Sequence, residues 1–226
     1  MNAPTTINDI VFKSAPEKAK ITDITVNSKP FPASGVNGII IYGIYGTGKT
    51  ALAKILPDAI EKSKGGTTAN EHFVSCMSGS NSVSVIQNLT ARASFVPLSS
   101  HHYFILDEVD MLTDNAMKQL KAVMNTPSTI FIMTTNHINM VDKGVLNRSI
   151  LVDFNAAPAS QWLPVAHKVL ANNNVTNVSN ASLEKIIQTC NGSARQIINA
   201  VEALCVNKRR GGMRIVKPVP PSPPTP

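Results

Sequence analysis

Gly38-Ile39-Ile40-Ile41-Tyr42-Gly43-Ile44-Tyr45-Gly46-Thr47-Gly48-Lys49-Thr50-Ala51-Leu52-Ala53-Lys54 is the stretch whose reading decides the fold. Ile39 to Ile41 form a β-branched run too short for a helix and too apolar for a surface loop, as expected of a parallel strand buried on both faces. Gly43 ends it. From Gly43 to Thr50 the spacing is Gly-x-x-x-x-Gly-Lys-Thr, in which glycines let backbone N–H groups turn inward around phosphate oxygens and the next helix offers its positive end. Gly43, Tyr45, Gly46, Thr47, Gly48, Lys49, Thr50 and Ala51 are therefore the candidate nucleotide-binding residues. Lys49 is expected to reach the β- and γ-phosphates of the nucleotide, and Thr50 to place its hydroxyl on Mg²⁺. Chance would produce the pattern in roughly one in a hundred chains of this length, so the question becomes which kind of nucleotide protein this is.

Working outward, the chain alternates apolar runs with helical patterns. His72 to Cys76 reads as a second strand, and the polar cluster Ser78 to Ser82 supplies a turn and cap before a helix over Val83 to Ala93. His102-Tyr103-Phe104-Ile105-Leu106 then ends abruptly in Asp107-Glu108-Val109-Asp110. In open α/β sheets ligands sit beyond the carboxyl ends of the strands, which puts Asp107 beside the phosphates as a metal ligand. Glu108 is left to orient and deprotonate an attacking water. Met117, Leu120, Val123 and Met124 space a helix over Ala116 to Asn125, with Thr113 or Asp114 as its cap. Ser128 to Asn136 is another buried strand ending in polar groups, and Asn136 could touch both γ-phosphate and water, or on spacing alone simply form a turn. Val141 to Asn147 reads as a short helix and Ile150 to Phe154 as a fifth strand, with Arg148 before it an ordinary surface residue by position.

Pro57 is expected to stop the helix that follows the loop. Beyond Ala156-Ala157-Pro158 the pattern is helical: one helix through Trp162, Val165, Val169 and Leu170, one capped by Ser182, and one opened by Gly192 and Ser193 and running through Leu204. Arg195 stands in the first turn of the last helix, where a cation opposes the helix dipole, so it invites an anion or is an ordinary exposed arginine. The expected fold is α/β, a P-loop NTPase with a five-stranded parallel sheet flanked by helices and followed by a small helical lid. The parts are 1–37 leading into the nucleotide site, 38–155 the P-loop sheet domain, 156–207 a small helical domain, and 208–226 a basic, proline-rich flexible tail.

With 226 residues, 43% of them hydrophobic, the chain can bury a sizeable core. Its formal charge of +7 is concentrated late, since Lys208, Arg209, Arg210, Arg214 and Lys217 all follow the last acid, Glu202. Charge alone is then a weak argument for nucleic acid. Three cysteines, never spaced as Cys-x-x-Cys, indicate neither a disulfide framework nor a zinc module and fit a reducing compartment, the cytoplasm or a host cytoplasm. No run has the length of a transmembrane helix and no signal peptide is visible, so no membrane partner is expected.

The order of these motifs resembles that of AAA+ ATPases and, within them, clamp-loader subunits of the replication factor C type, including those of phages. The match runs from about Asp9 to Leu204. Asp9-Ile10-Val11 looks like the segment that family places near adenine, which implies nucleotide contact for Ile10 and Val11. Tyr103 to Asp110 is similar to its Asp-Glu-Ala-Asp motif, and Thr134-Thr135-Asn136 to its sensor 1. Leu146-Asn147-Arg148-Ser149 resembles its Ser-Arg-Cys motif with Asn147 and Ser149 in the flanking places, which implies that Arg148 is a finger reaching a neighbour's ATP. Gly192-Ser193-Ala194-Arg195 is similar to its sensor 2, which implies that Arg195 touches the bound nucleotide. The resemblance implies an ATP-hydrolysing oligomer, homo- or hetero-oligomeric, acting on DNA with a sliding clamp. No counterpart of the family's helical collar follows residue 207, which leaves open a helicase loader or initiator with a helicase as partner. A P-loop small-molecule kinase and a nucleotide-binding assembly subunit without turnover are further readings.

Overall fold

The computed structural model describes residues 4–77 and 79–212. Five strands, β1 (Gly38–Tyr42), β2 (Glu71–Ser75), β3 (His102–Asp107), β4 (Thr129–Thr135) and β5 (Ser149–Asp153), form one sheet in the order β2-β3-β4-β1-β5. Every pairing is parallel. The expected α/β class and strand count are therefore what the chain adopts, with β5 starting one residue earlier than its apolar run.

Successive side chains of a strand point to opposite faces, and the isoleucine run of β1 divides accordingly. Ile40 joins Phe104, Leu106, Phe131 and Met133 on one face, under α3 (Val83–Ala93) and α4 (Asp114–Val123). Ile39 and Ile41 join Ile105, Ile130 and Ile132 on the other, under α1 (Ala15–Thr25) and α2 (Lys49–Ser63). A sheet covered on both faces explains why these strands are continuous apolar runs rather than alternating ones. The short helix α5 (Lys143–Asn147) leads into β5.

Two local expectations are corrected and one helix is added. The helix after the phosphate loop does not stop at Pro57 but runs to Ser63 with the proline inside it. Proline removes only one N–H from the helix ladder, and burial of Leu52, Ala53, Leu56 and Ile60 along one face outweighs that loss. Residues 1–37 contain α1, which buries only Ile21 and Ile24 and so carries little periodic signal; Ser14 with Pro16 and Glu17 was the start signature available. The cap of α7 (Asn180–Gln188) is Ser179, whose Oγ accepts the Ser182 amide, rather than Ser182 itself.

Helices α6 (Ala159–Asn172), α7 and α8 (Ala194–Gly212) form a second, smaller body with its own core around Trp162, Leu183, Ile187, Ile197 and Val201. Helix α8 runs to Gly212, five residues beyond the expected end of the small helical domain at 207. The proline-rich end expected to be flexible lies outside the described residues. Among the described residues no helix is long and apolar enough to cross a membrane.

The N-terminal segment joins the two bodies. Ile10 and Phe12 pack against the sheet core while Val11, between them, packs into the core of α6–α8. Lys168 of α6 meets Asp9 at 3.0 Å, and that ammonium, with the donors of Thr6 and Thr5, holds the Asp9 carboxyl at about 2.

Candidate active site

The five strands end on one side, and the loop from Gly43 to Gly48 lies there, between the ends of β1 and the start of α2. Two of its glycines are required by what they touch. A Cβ on Gly43 would lie 2.7 Å from the Phe154 carbonyl, and one on Gly46, whose φ is +80°, would lie 2.5 Å from Ser193 Oγ at the head of α8. No L side chain fits either place without displacement.

Lys49 opens α2 and is buried, its Nζ donating to the carbonyls of Gly43 at 2.9 Å and Ile44 at 2.6 Å. Burial pulls this ammonium below the ordinary lysine range, and Asp107, Asp110 and Glu108 pull it part of the way back. Thr47 Oγ1 donates to the same Ile44 carbonyl at 3.1 Å. The loop is thus folded around its own lysine.

Beside it, Asp107 ends β3. Its Oδ1 accepts the Thr50 hydroxyl at 2.8 Å and the Thr134 hydroxyl at 2.6 Å. Thr134 also accepts the Glu108 amide at 3.0 Å, so one threonine fixes both acidic residues. Glu108 has φ +59°, a left-handed conformation that a non-glycine residue holds only when its surroundings enforce it. The Thr134 contact depends on the alignment of β3 with β4, Leu106 opposite Met133, and could not be read from either strand alone.

A cleft of about 560 Å³ collects these groups: Tyr45, Gly46, Gly48, Lys49, Thr50 and Ala51 from the loop and its helix, Asp107 and Glu108, Asn136, and Arg195 from α8. Lys54 and Thr134 also line it and were not among the expected site residues. Tyr45 is exposed at its wall, its hydroxyl 3.1 Å from Nε2 of His137, the neighbour of Asn136. Gly43, Thr47, Ile10 and Val11 are not on the cleft wall. The first two shape the loop from within, and the other two are occupied by the packing that joins the two bodies.

Arg148 is at the opposite end of the sheet. Its carbonyl accepts the amides of Asn37 and Gly38, where β1 begins, and its guanidinium donates to Asn125 Oδ1 and the Gly144 carbonyl, both at 3.0 Å. Cys76 lies behind the acidic strand end, fully buried, and burial pushes its thiol up to about 12. It is a packing residue, inert by that measure.

A phosphate loop, an acid-ended strand beside it and a helical body touching the loop through Ser193 define a P-loop nucleotide-binding protein with an appended helical unit. Residues 39–154 match the ATPase family associated with various cellular activities, AAA, and the chain belongs to that family. Replication factor C small subunit 2 of Pyrobaculum islandicum is 25% identical over 200 residues, covering 87% of this chain and 62% of that protein. A replication factor C small subunit of Thermoplasma volcanium is 26% identical over 172 residues, 74% of this chain and 52% of that one. Among solved structures, RuvB of Thermotoga maritima superposes with a TM-score of 0.64 at 12% identity, covering 92% of this chain and 65% of that chain, a likeness of fold. The chain spans about half to three fifths of the length of these replication factor C relatives. The resemblance carried by its motifs, an AAA ATPase of the replication factor C type, is the one these comparisons return.

Proposed function

We propose that this chain binds ATP with Mg²⁺ in the cleft, hydrolyses it, and works as a clamp-loader-like subunit on DNA with a sliding clamp, in an oligomer whose nucleotide sites lie between subunits. The observation that carries the nucleotide reading is the Thr50–Asp107–Thr134 cluster at the foot of the phosphate loop, 2.8 and 2.6 Å in its two contacts. A hydroxyl and a carboxylate meeting at one point are the hard oxygen donors Mg²⁺ prefers. Such an ion, when bound, neutralises charge on the phosphates.

Placement supports a role for each residue. Lys49 exchanges the Gly43 and Ile44 carbonyls for phosphate oxygens, a better partner for an ammonium drawn out of water. Glu108 receives the proton of the attacking water, and Asn136 contacts that water and the γ-phosphate. Arg195 approaches the phosphates from α8. Ile10 and Val11 lie along the junction on which adenine rests, the α6–α8 body serving as a lid. Arg148 acts on the ATP of a neighbouring subunit, because its own cleft is at the other end of the sheet.

Phosphate release measured with and without primed DNA and a sliding clamp tests the whole reading; stimulation by both together is expected, and no response to either overturns the clamp-loader part. Glu108→Gln should abolish turnover and leave ATP binding intact. Loss of both together would remove Glu108 from its assigned role.

A further inference from the structure

The connection from the sheet to the lid begins at Asn155, two residues beyond β5, and this residue is tied to the phosphate loop. Its Oδ1 accepts the Ile44 amide at 3.0 Å across a sequence separation of 111 residues. Its Nδ2 and its own backbone N–H both donate to Asp153 Oδ1, at 2.7 and 3.0 Å. A carboxylate can only accept, so the Nδ2 must face Asp153 and the carbonyl of the amide must face Ile44. Asp153 is in turn held by Lys13, whose Nζ is 2.5 Å from Oδ2, and by its own amide donating to Glu17 Oε2 at 2.8 Å. Burial pushes the Asp153 carboxyl up, but Lys13 and the two Asn155 donors outweigh it and keep it below the usual range, ionised as this pattern requires.

Ile44 is gripped on both sides. The lid connection holds its amide, while its carbonyl holds Lys49 at 2.6 Å and Thr47 at 3.1 Å. The lid touches the loop a second time where Ser193 faces Gly46. A rotation of the lid that displaces Asn155 or Ser193 therefore either breaks a contact with the loop or carries the loop with it. Lys49, released from the Ile44 carbonyl by a phosphate, changes the other half of the same grip.

We propose that Asn155 is a positioning residue of the nucleotide site, coupling the setting of the lid to the conformation of the phosphate loop through the Ile44 amide. Asn155 does not line the cleft; it acts through the loop backbone, fixed from behind by Asp153 and Lys13. The inference rests on the reading that this loop binds nucleotide, and its test separates the two.

The chain has one tryptophan, Trp162, which lies in the first turns of α6 and reports on the lid without labelling. The full chain is titrated with ADP carrying a fluorescent N-methylanthraniloyl group for affinity, and with plain ADP while Trp162 emission is followed. Wild type must bind and change its Trp162 emission on saturation; absence of binding there sinks the nucleotide reading itself. Given wild-type binding, Asn155→Ala is expected to weaken Kd about tenfold, the loss of one hydrogen bond to a loop amide, and to reduce the Trp162 change at saturation by more than half. Binding within twofold of wild type with an unchanged Trp162 response overturns the proposal. In Asn155→Asp the carboxylate still accepts from the Ile44 amide but faces the Asp153 carboxylate where the Nδ2 donor stood. Its Kd should be weakened at neutral pH and return to within threefold of wild type at the same pH as pH is lowered toward about 5, where a proton shared by the two carboxyls restores the donor–acceptor pair, a recovery that a residue needed only for folding would not give. If Asn155→Ala does not fold, Asn155→Asp decides alone: recovery with falling pH supports the coupling and a pH-independent tenfold loss overturns it.

Discussion

Glu61 is a carboxylate in α2, 4% exposed, with no cation among the described residues in hydrogen-bonding reach, and its removal has a cost that follows from its contacts. Its Oε2 accepts the hydroxyl of Tyr103, the first fully buried residue of β3, at 2.8 Å, and the Ser100 hydroxyl at 2.5 Å; its Oε1 accepts the Ser100 amide at 3.0 Å. Ser100 is exposed, so in Glu61→Ala its donors find water at little cost. The Tyr103 hydroxyl does not, since it is left with only Ser100 Oγ at 3.3 Å. Losing a bond to a charged group and stranding a buried donor costs roughly 1.5–3 kcal/mol. The missing methylene adds about 0.8 kcal/mol, and relief of the buried charge returns part of the sum, so Glu61→Ala should destabilise by about 2–3 kcal/mol. Tyr103→Phe, which leaves Glu61 its two Ser100 donors, should cost about 1 kcal/mol. In the double mutant the stranded hydroxyl is gone, so urea denaturation of the four proteins should give a coupling energy of about 1.5 kcal/mol. Additivity within ~0.5 kcal/mol would refute the reasoning. Glu61 lies twelve residues along α2 from Lys49, about 18 Å, so ADP affinity of the folded mutant should be unchanged.

The same carboxyl predicts an acid dependence. Burial pushes Glu61 up, but the Ser100 and Tyr103 bonds outweigh it and leave it below its ordinary value of 4.5, so its contribution is complete above that value and is lost as pH falls through the lowered one. Urea midpoints of Glu61→Gln should accordingly fall less steeply than those of wild type below about pH 4.5. Gly46→Ala places a Cβ against Ser193 Oγ at a backbone angle of +80°, which should cost about 1–2 kcal/mol and weaken ADP binding about 5- to 30-fold. Ser193→Ala in that background should recover the contact part of the loss and leave the backbone part. In a mixing experiment Arg148→Ala subunits should lower the turnover of wild-type partners; turnover that scales only with the wild-type fraction would remove the intersubunit role.

The parts of this fold that were legible in the sequence are those whose signal is local. The strands β1, β3 and β4 are apolar runs ended by glycine, acid or threonine, and the phosphate loop is a fixed spacing on a single stretch. What was hidden depends on alignment between distant segments. Thr134 fixes Asp107 and Glu108 only because β3 and β4 pair in one register. Asn155 looks like any residue after a strand, its partner Ile44 lying in a loop formed far earlier in the chain. Helix α1 was missed for a different reason. It turns two isoleucines inward and is held on the open edge of β5 by polar contacts, Glu17 to the Asp153 amide and Lys20 to the Leu151 carbonyl, which leave no apolar period. Pro57 misled because a single rule about backbone donors was set against no knowledge of the sheet the helix covers.

Arg148 shows how a parallel sheet divides labour between its two ends. All five strands run the same way, so groups that follow a strand collect at one end and groups that precede one collect at the other. Asp107, Asn136 and the phosphate loop follow strands, whereas Arg148 precedes β5 and is bonded to the first residue of β1. The five residues of β1 separate the two ends by roughly 16 Å, further than an arginine side chain extends. Of its five N–H donors the guanidinium uses those on Nε and Nη1 to grip Asn125 and the Gly144 carbonyl, contacts that aim it without exhausting it. A cation so held lies beyond reach of its own cleft, which supports the proposed role of Arg148 on the nucleotide of a neighbouring subunit.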